Sequence, residues 1–272
     1  MLIDAIIEPF QLTFMMHALV VCVLIGVMCP FLGAHVINRE MGFMGDALAH
    51  SVLPGMVGAT ILGFSPLLGA IPTGIVVALT IGYIVKKSNV SNDTSIGIMF
   101  TALFALGLVL LSLHGDEEIH VEDILLGQIT TISNTDVLVT VFLALVTFTI
   151  MVLLHKQLVF VGFDYEGAVV AGLPASRIDY LLLALLSVVI VVSLQIVGII
   201  LVVGMLITPA AAASLIAKRF SSAIVLGIVF GVTSGVVGLY MSYYFNLPSG
   251  PAIALTSTAI FTLSFLNRLR TT

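Results

Sequence analysis

Apolar runs of helical length, separated by short polar clusters, recur along the whole chain. They occupy residues 13–37, 43–62, 66–85, 95–113, 134–155, 179–195, 198–217, 221–245 and 250–267. Crossing roughly 30 Å of hydrocarbon takes about 20 apolar residues at 1.5 Å each, and these runs are of that order. The sixth and seventh form one continuous stretch from Leu181 to Ala217. As a single helix it would reach roughly 55 Å, so the chain must turn back, near Ser193, Gln195 and Gly198. The pattern predicts an all-α integral membrane protein, a polytopic bundle of about nine helices. No stretch reads as a linker or second domain, so residues 1–272 are expected to form a single transmembrane domain.

Composition points the same way. Apolar residues make up 60% of the 272 and charged residues 8%, too few to cover a water-exposed surface. Mean hydropathy is +1.26. Met1-Leu2-Ile3-Asp4 lacks the cationic start of a secretory signal, so no leader is set aside. The net charge of −5 and the absence of a basic run give no reason to expect a nucleic-acid partner. Cys22 and Cys29 lie in one apolar run and read as packing residues, not as a disulfide or a thiolate metal site.

Charge also gives the spans a direction. With the N-terminus outside, Arg39, Lys86, Lys87, Lys156, Arg177, Lys218, Arg219, Arg268 and Arg270 all fall inside. These are all nine Lys and Arg, as the positive-inside rule requires, and the C-terminus is inside as well. The loop from His114 to Asp123 is acidic and falls outside. Its His114, Glu117, Glu118 and His120 invite a metal-capture reading, but a solvated loop or a partner-docking loop accounts for it more simply.

Titratable groups within the apolar runs are costly and therefore informative. Asp46 and His50 are four residues apart at the start of the second run, on one helical face, about 6 Å apart at Cβ. A carboxylate and an imidazole so placed can share a divalent cation, and that donor set suits zinc, manganese or iron(II) better than copper(I). Asp46 also fits a helix N-cap, and His50 fits a buried imidazole satisfied by a carbonyl. His17 and His35 have no acidic partner at helical spacing and read as interfacial or packing residues, with His155 at an inner helix end. Pro54-Gly55 weakens the same helix at mid-membrane, and Thr208-Pro209, followed by small residues, does so in the seventh run. Such interruptions serve transport pathways and ordinary helix packing alike.

The motifs that are missing narrow the function. There is no G-x-x-x-x-G-K-[ST] loop, no H-E-x-x-H and no G-x-S-x-G, so neither ATP hydrolysis by that route nor those two hydrolase chemistries is written here. The longest inner segment, residues 156–178, contains a short helix from Glu166 to Ala171, stopped by Gly172 and Pro174. It carries apolar and acidic residues without a basic face, which suits docking to a cytoplasmic protein better than lying on anionic lipid.

The stretch Met41-Gly42-Phe43-Met44-Gly45-Asp46-Ala47-Leu48-Ala49-His50-Ser51-Val52-Leu53-Pro54-Gly55 resembles the signature of the bacterial ABC-type manganese/zinc permeases, the ABC-3 family. Asp93-Thr94-Ser95-Ile96-Gly97-Ile98, the Ala171-Gly172-Leu173-Pro174 turn, and Met205-Leu206-Ile207-Thr208-Pro209-Ala210-Ala211 are similar to the family in the same order. The resemblance implies a type II importer-like permease that is not itself an enzyme. It implies a second copy of the chain, two cytoplasmic ATPases, an extracellular metal-binding lipoprotein and the bacterial cell membrane as location. It implies that Asp46 and His50 are intramembrane metal ligands and that Glu166, Gly172, Leu173 and Pro174 belong to the coupling segment. It also implies a transported ion, Mn²⁺ first and Zn²⁺ or Fe²⁺ as alternatives, with no permanently bound cofactor. The competing class is a proton-coupled secondary transporter in which Asp46 and His50 relay protons.

Overall fold

The computed structural model describes residues 12–88, 90–114 and 132–271, and all regular structure among them is helical. In chain order the first six helices are α1 (Thr13–Asn38), α2 (Met44–Ser51), α3 (Leu53–Ile61), α4 (Pro66–Lys87), α5 (Asn92–His114) and α6 (Asn134–Leu153). They are followed by α7 (His155–Phe163), α8 (Tyr165–Val170), α9 (Ala175–Val197), α10 (Ile199–Ile216), α11 (Phe220–Phe245) and α12 (Ser249–Thr271). The acidic segment after His114 and the N-terminal residues before Leu12 lie outside the described residues, as do the roles considered for them.

Among the described residues, eight helices are each long and apolar enough to cross a membrane: α1, α4, α5, α6, α9, α10, α11 and α12. The second run, expected as one span over 43–62, is instead two short helices that meet at Val52 and together are of the length that a ninth crossing takes. Pro54 is the cause. It has no N–H to give to the carbonyl of His50 four residues back, so the hydrogen-bond ladder opens just after His50. By contrast α10 runs unbroken through Thr208 and Pro209. The chain breaks at Gly198, where φ of +85° and ψ of 164° suit only glycine.

The chain divides into two compact units. The described residues of Met1–Ala34, Val121–Phe148 and Ile196–Thr272 form one, and those of His35–His120 and Thr149–Gln195 the other. In the first unit α10, α11 and α12 pack on one another through small residues. Gly227, Gly231 and Gly235 repeat every fourth residue along α11, and a Cβ on Gly231 would fall against the carbonyl oxygen of Gly26. The approach at Gly33 is closer still, since a Cβ there would fall on the carbonyl of Leu206. Without a hydrophobic drive between helices in lipid, such approaches supply the packing contacts that hold them together. Cys22 and Cys29 are free, fully buried thiols in this unit, which fits their reading as packing residues.

In the second unit α3 lies against α4, where Gly55 and Gly69 leave room for the two backbones to meet, and α2 lies against α5. The outer faces are apolar: Ile98, Leu106, Leu108, Val109 and Leu113 of α5 are all exposed. Water would not tolerate a surface of this kind, whereas hydrocarbon does.

Candidate functional site

Asp46 sits in the first turn of α2 and His50 in its last. The N-cap position belongs to Phe43, and no side chain caps the helix, so the N-cap role considered for Asp46 is not the one it takes. Its carboxylate turns toward His50 instead, with Oδ1 3.5 Å from Nδ1. The same Nδ1 lies 2.9 Å from the backbone carbonyl of Asp46. A carbonyl only accepts, so Nδ1 carries the proton and donates it. The carbonyl contact considered for His50 is therefore present, and it leaves Nε2 with its lone pair free to ligate.

Neither side chain is sealed in. Asp46 is 47% exposed and His50 21%, on the one helical face that their spacing dictates. Two phenylalanines fix the ring. Phe100 and Phe104 of α5 stand at 5.4 and 5.3 Å from the His50 ring, each turned 86° to it. They stack on each other at 5.8 Å and 10°. Sequence reasoning passed over this pair, whose only signal is two aromatic residues at i, i+4 on the helix that follows.

No group of three metal-capable side chains occurs among the described residues, so within them this pair stands alone. Two donors are fewer than the four that zinc takes or the six of an octahedral site. His35 is fully buried in the same unit. His17 belongs to the other unit, where its Nδ1 is 3.0 Å from the carbonyl of Ile132, as befits a packing residue.

The segment expected to form a loop over 156–178 is helical for most of its length. The N–H of Gly167 donates to Asp164 Oδ1 at 2.8 Å, capping α8, and Glu166 lies exposed in its first turn beside the helix N-terminus. The end of α8 is a Schellman motif. Gly172 takes φ of +80°, its N–H donates to the carbonyl of Val169, and that of Leu173 donates to the carbonyl of Ala168. Pro174 then bars further helix until α9 begins at Ala175. What this short helix shows outward is apolar: Val169 is 52% exposed and Val170 88%, with Phe163 exposed just before it. Pro54 and Pro209 are buried and Thr208 is half-buried, each within its own helix packing.

A family model described as the ABC 3 transport family matches residues 11–268. The chain is 41% identical over 253 residues to the manganese transport system membrane protein MntC of Halalkalibacterium halodurans, covering 93% of this chain and 87% of that one. It is 37% identical to the chelated iron transport system membrane protein YfeD of Yersinia pestis, covering 98% and 89%. Among solved structures it is similar to PsaBC from Streptococcus pneumoniae in complex with Fab. The TM-score is 0.84 at 37% identity, covering 97% of this chain and 95% of that one. An inward-facing putative metal-chelate type ABC transporter matches with a TM-score of 0.72 at 17% identity, and so shares the fold.

Proposed function

The chain belongs to the ABC 3 transport family, and from that premise we propose that it is the membrane-spanning subunit of an importer that carries a divalent transition metal, Mn²⁺ first, into the cell. The observation that carries this reading is the α2 pair. The proton on His50 Nδ1 is committed to the carbonyl of Asp46, which leaves Nε2 and a half-exposed carboxylate for the ion. A second copy of the chain contributes another Asp46 and His50 about a two-fold axis, giving up to four protein donors. Carboxylate charge offsets part of the cost of bringing a dication into low dielectric, and an incomplete set of ligands lets it leave again. The chain passes from α2 to α3 at Val52, just beyond the pair.

Two cytoplasmic ATPases supply the drive, and an extracellular metal-binding lipoprotein delivers the ion. In this orientation the N-terminus is outside and the C-terminus inside, and α8 faces the cytoplasm. There Val169, Val170 and the exposed Glu166 form the surface on which an ATPase docks, held in shape by the Gly172-Leu173-Pro174 turn. Relatives named for manganese and others named for chelated iron make Fe²⁺ the second candidate, with Zn²⁺ behind it. The test is uptake into proteoliposomes holding this chain, its ATPase and its binding protein, with Mn²⁺, Fe²⁺ and Zn²⁺ in competition. ATP-dependent uptake led by Mn²⁺ is expected. Uptake driven by a proton gradient without the ATPase would instead identify Asp46 and His50 as a proton relay.

A further inference from the structure

A second polar cluster in the same unit binds the α7–α8–α9 segment to the residues that lead into α2. Asp179, near the start of α9, accepts from Arg39 Nη2 at 3.3 Å on Oδ1 and faces Lys86 Nζ at 3.2 Å through Oδ2. Lys86, at the end of α4, also donates to Ser176 Oγ at 3.2 Å. Its ammonium lies over the rings of Tyr165 and Tyr180, 5.1 and 4.6 Å from their centres. Arg39 donates again to the carbonyl of Leu158, and Asn38 donates to that of Gly162 at 3.0 Å. The carbonyl of Gly162 lies in the last turn of α7, where backbone acceptors go unmet, and that of Leu158 lies one turn earlier. Asn92, opening α5, donates to the carbonyl of Arg39 at 2.7 Å. Glycine at 162 is what admits these side chains, because a Cβ there would stand 3.1 Å from Asn38 Nδ2 and 3.2 Å from Arg39 Nη1.

The link from Arg39 to Asp46 is short and has little slack. Glu40 takes the left-handed conformation at φ of +56°, and α1 ends in a Schellman motif. The Met41 N–H bonds the carbonyl of Val36 and that of Glu40 bonds the carbonyl of Ile37. The Met44 N–H then bonds the carbonyl of Met41, which opens α2. With these torsions fixed, a displacement of Arg39 is carried into the helix that bears Asp46 and His50. The cluster itself is not saturated. Two cations share one carboxylate, and Arg39 Nη1 is buried with no hydrogen-bond partner among the described residues.

We propose that Asp179, Arg39 and Lys86 are positioning residues that transmit movement of the α7–α8 segment to the Asp46/His50 helix during transport. The proposal rests on the reading that α8 receives the ATPase's motion. The experiment measures Mn²⁺ taken up per ATP hydrolysed, using the full transporter with ATPase and binding protein in proteoliposomes. Asp179→Asn should lower that ratio about tenfold, within the usual span of coupling between sites, while ATP turnover and the thermal midpoint hold. Asp179→Glu should recover part of the loss. If Asp179→Asn does not assemble, Lys86→Gln serves in its place and should act in the same direction. An unchanged ratio in either assembled variant overturns the proposal. A fall in uptake, ATP turnover and midpoint together, without rescue by glutamate, also overturns it, because that pattern marks a brace. Val170→Asp separates the two readings: an ATPase that stays bound and coupled removes the docking surface beneath the proposal. An ATPase lost from Val170→Asp, together with a normal ratio in Asp179→Asn, removes the proposal alone.

Discussion

A histidine four residues beyond an aspartate on a helix can spend its ring on the helix backbone or on a ligand, and His50 gives the backbone one nitrogen, Nδ1. The pairing with Asp46 was legible because i, i+4 spacing is a local property of any helix. The choice of nitrogen was not legible, since it depends on which carbonyl falls within reach once the side chain has turned. The Phe100–Phe104 wall was hidden for a related reason: aromatic residues in an apolar run look like every other lipid-facing side chain until the helices are packed. Because these rings hold the imidazole in place, Phe104→Ala should raise the apparent KM for metal about tenfold, the scale of loss when a ligand's support is removed. Phe104→Leu should fall between, in uptake assays of the assembled transporter, and an unchanged KM in Phe104→Ala would mean the ring needs no support. Buried thiols give a simpler check. Cys22 and Cys29 should stay unlabelled by maleimide in the folded protein and react once it is denatured.

Among the helices, the legible features were those with a cause in the adjacent sequence. Gly172 and Pro174 end α8 where the sequence predicts, because a left-handed residue followed by proline stops a helix locally. The break at Val52 fell upstream of the expected Pro54-Gly55, because a missing N–H acts on the carbonyl four residues earlier. Thr208-Pro209 looked like an interruption of the same kind, yet α10 continues through it, flanked by close contacts with α1 and α11. Those contacts were illegible, since a glycine repeat such as 227, 231 and 235 does not name its partner. They set a stability test. Gly33→Val drives a side chain into the carbonyl of Leu206 and should cost about 3 kcal/mol, the upper end for overpacking. Gly58→Ala, on an open face of α3, should instead be neutral or gain up to about 1 kcal/mol from helix propensity. Thermal unfolding in detergent distinguishes the two, and equal midpoints would mean that α1 and α10 do not approach as described.

For the molecule as a whole, the bilayer made the fold readable: apolar runs of fixed length count the crossings, and the run over 43–62 differs only in being divided into two short helices ahead of Pro54. Which unit each helix joins was not readable, because neither unit is contiguous in sequence and α1, α6 and α9 contribute residues to both. Placement of all nine Lys and Arg predicts the orientation. A cysteine introduced as Asn246→Cys should therefore react with an impermeant reagent on intact cells, while Glu166→Cys should react only after the cells are opened; the reverse pattern would invert the topology. Transport as proposed depends on the ion meeting α2. Its most direct test is ATP-driven Mn²⁺ uptake by the reconstituted transporter carrying Asp46→Asn or His50→Ala, with assembly and thermal midpoint verified. Uptake should fall by tenfold or more, on the order of the loss when one ligand of a metal site is removed. Normal uptake by both assembled variants would contradict it.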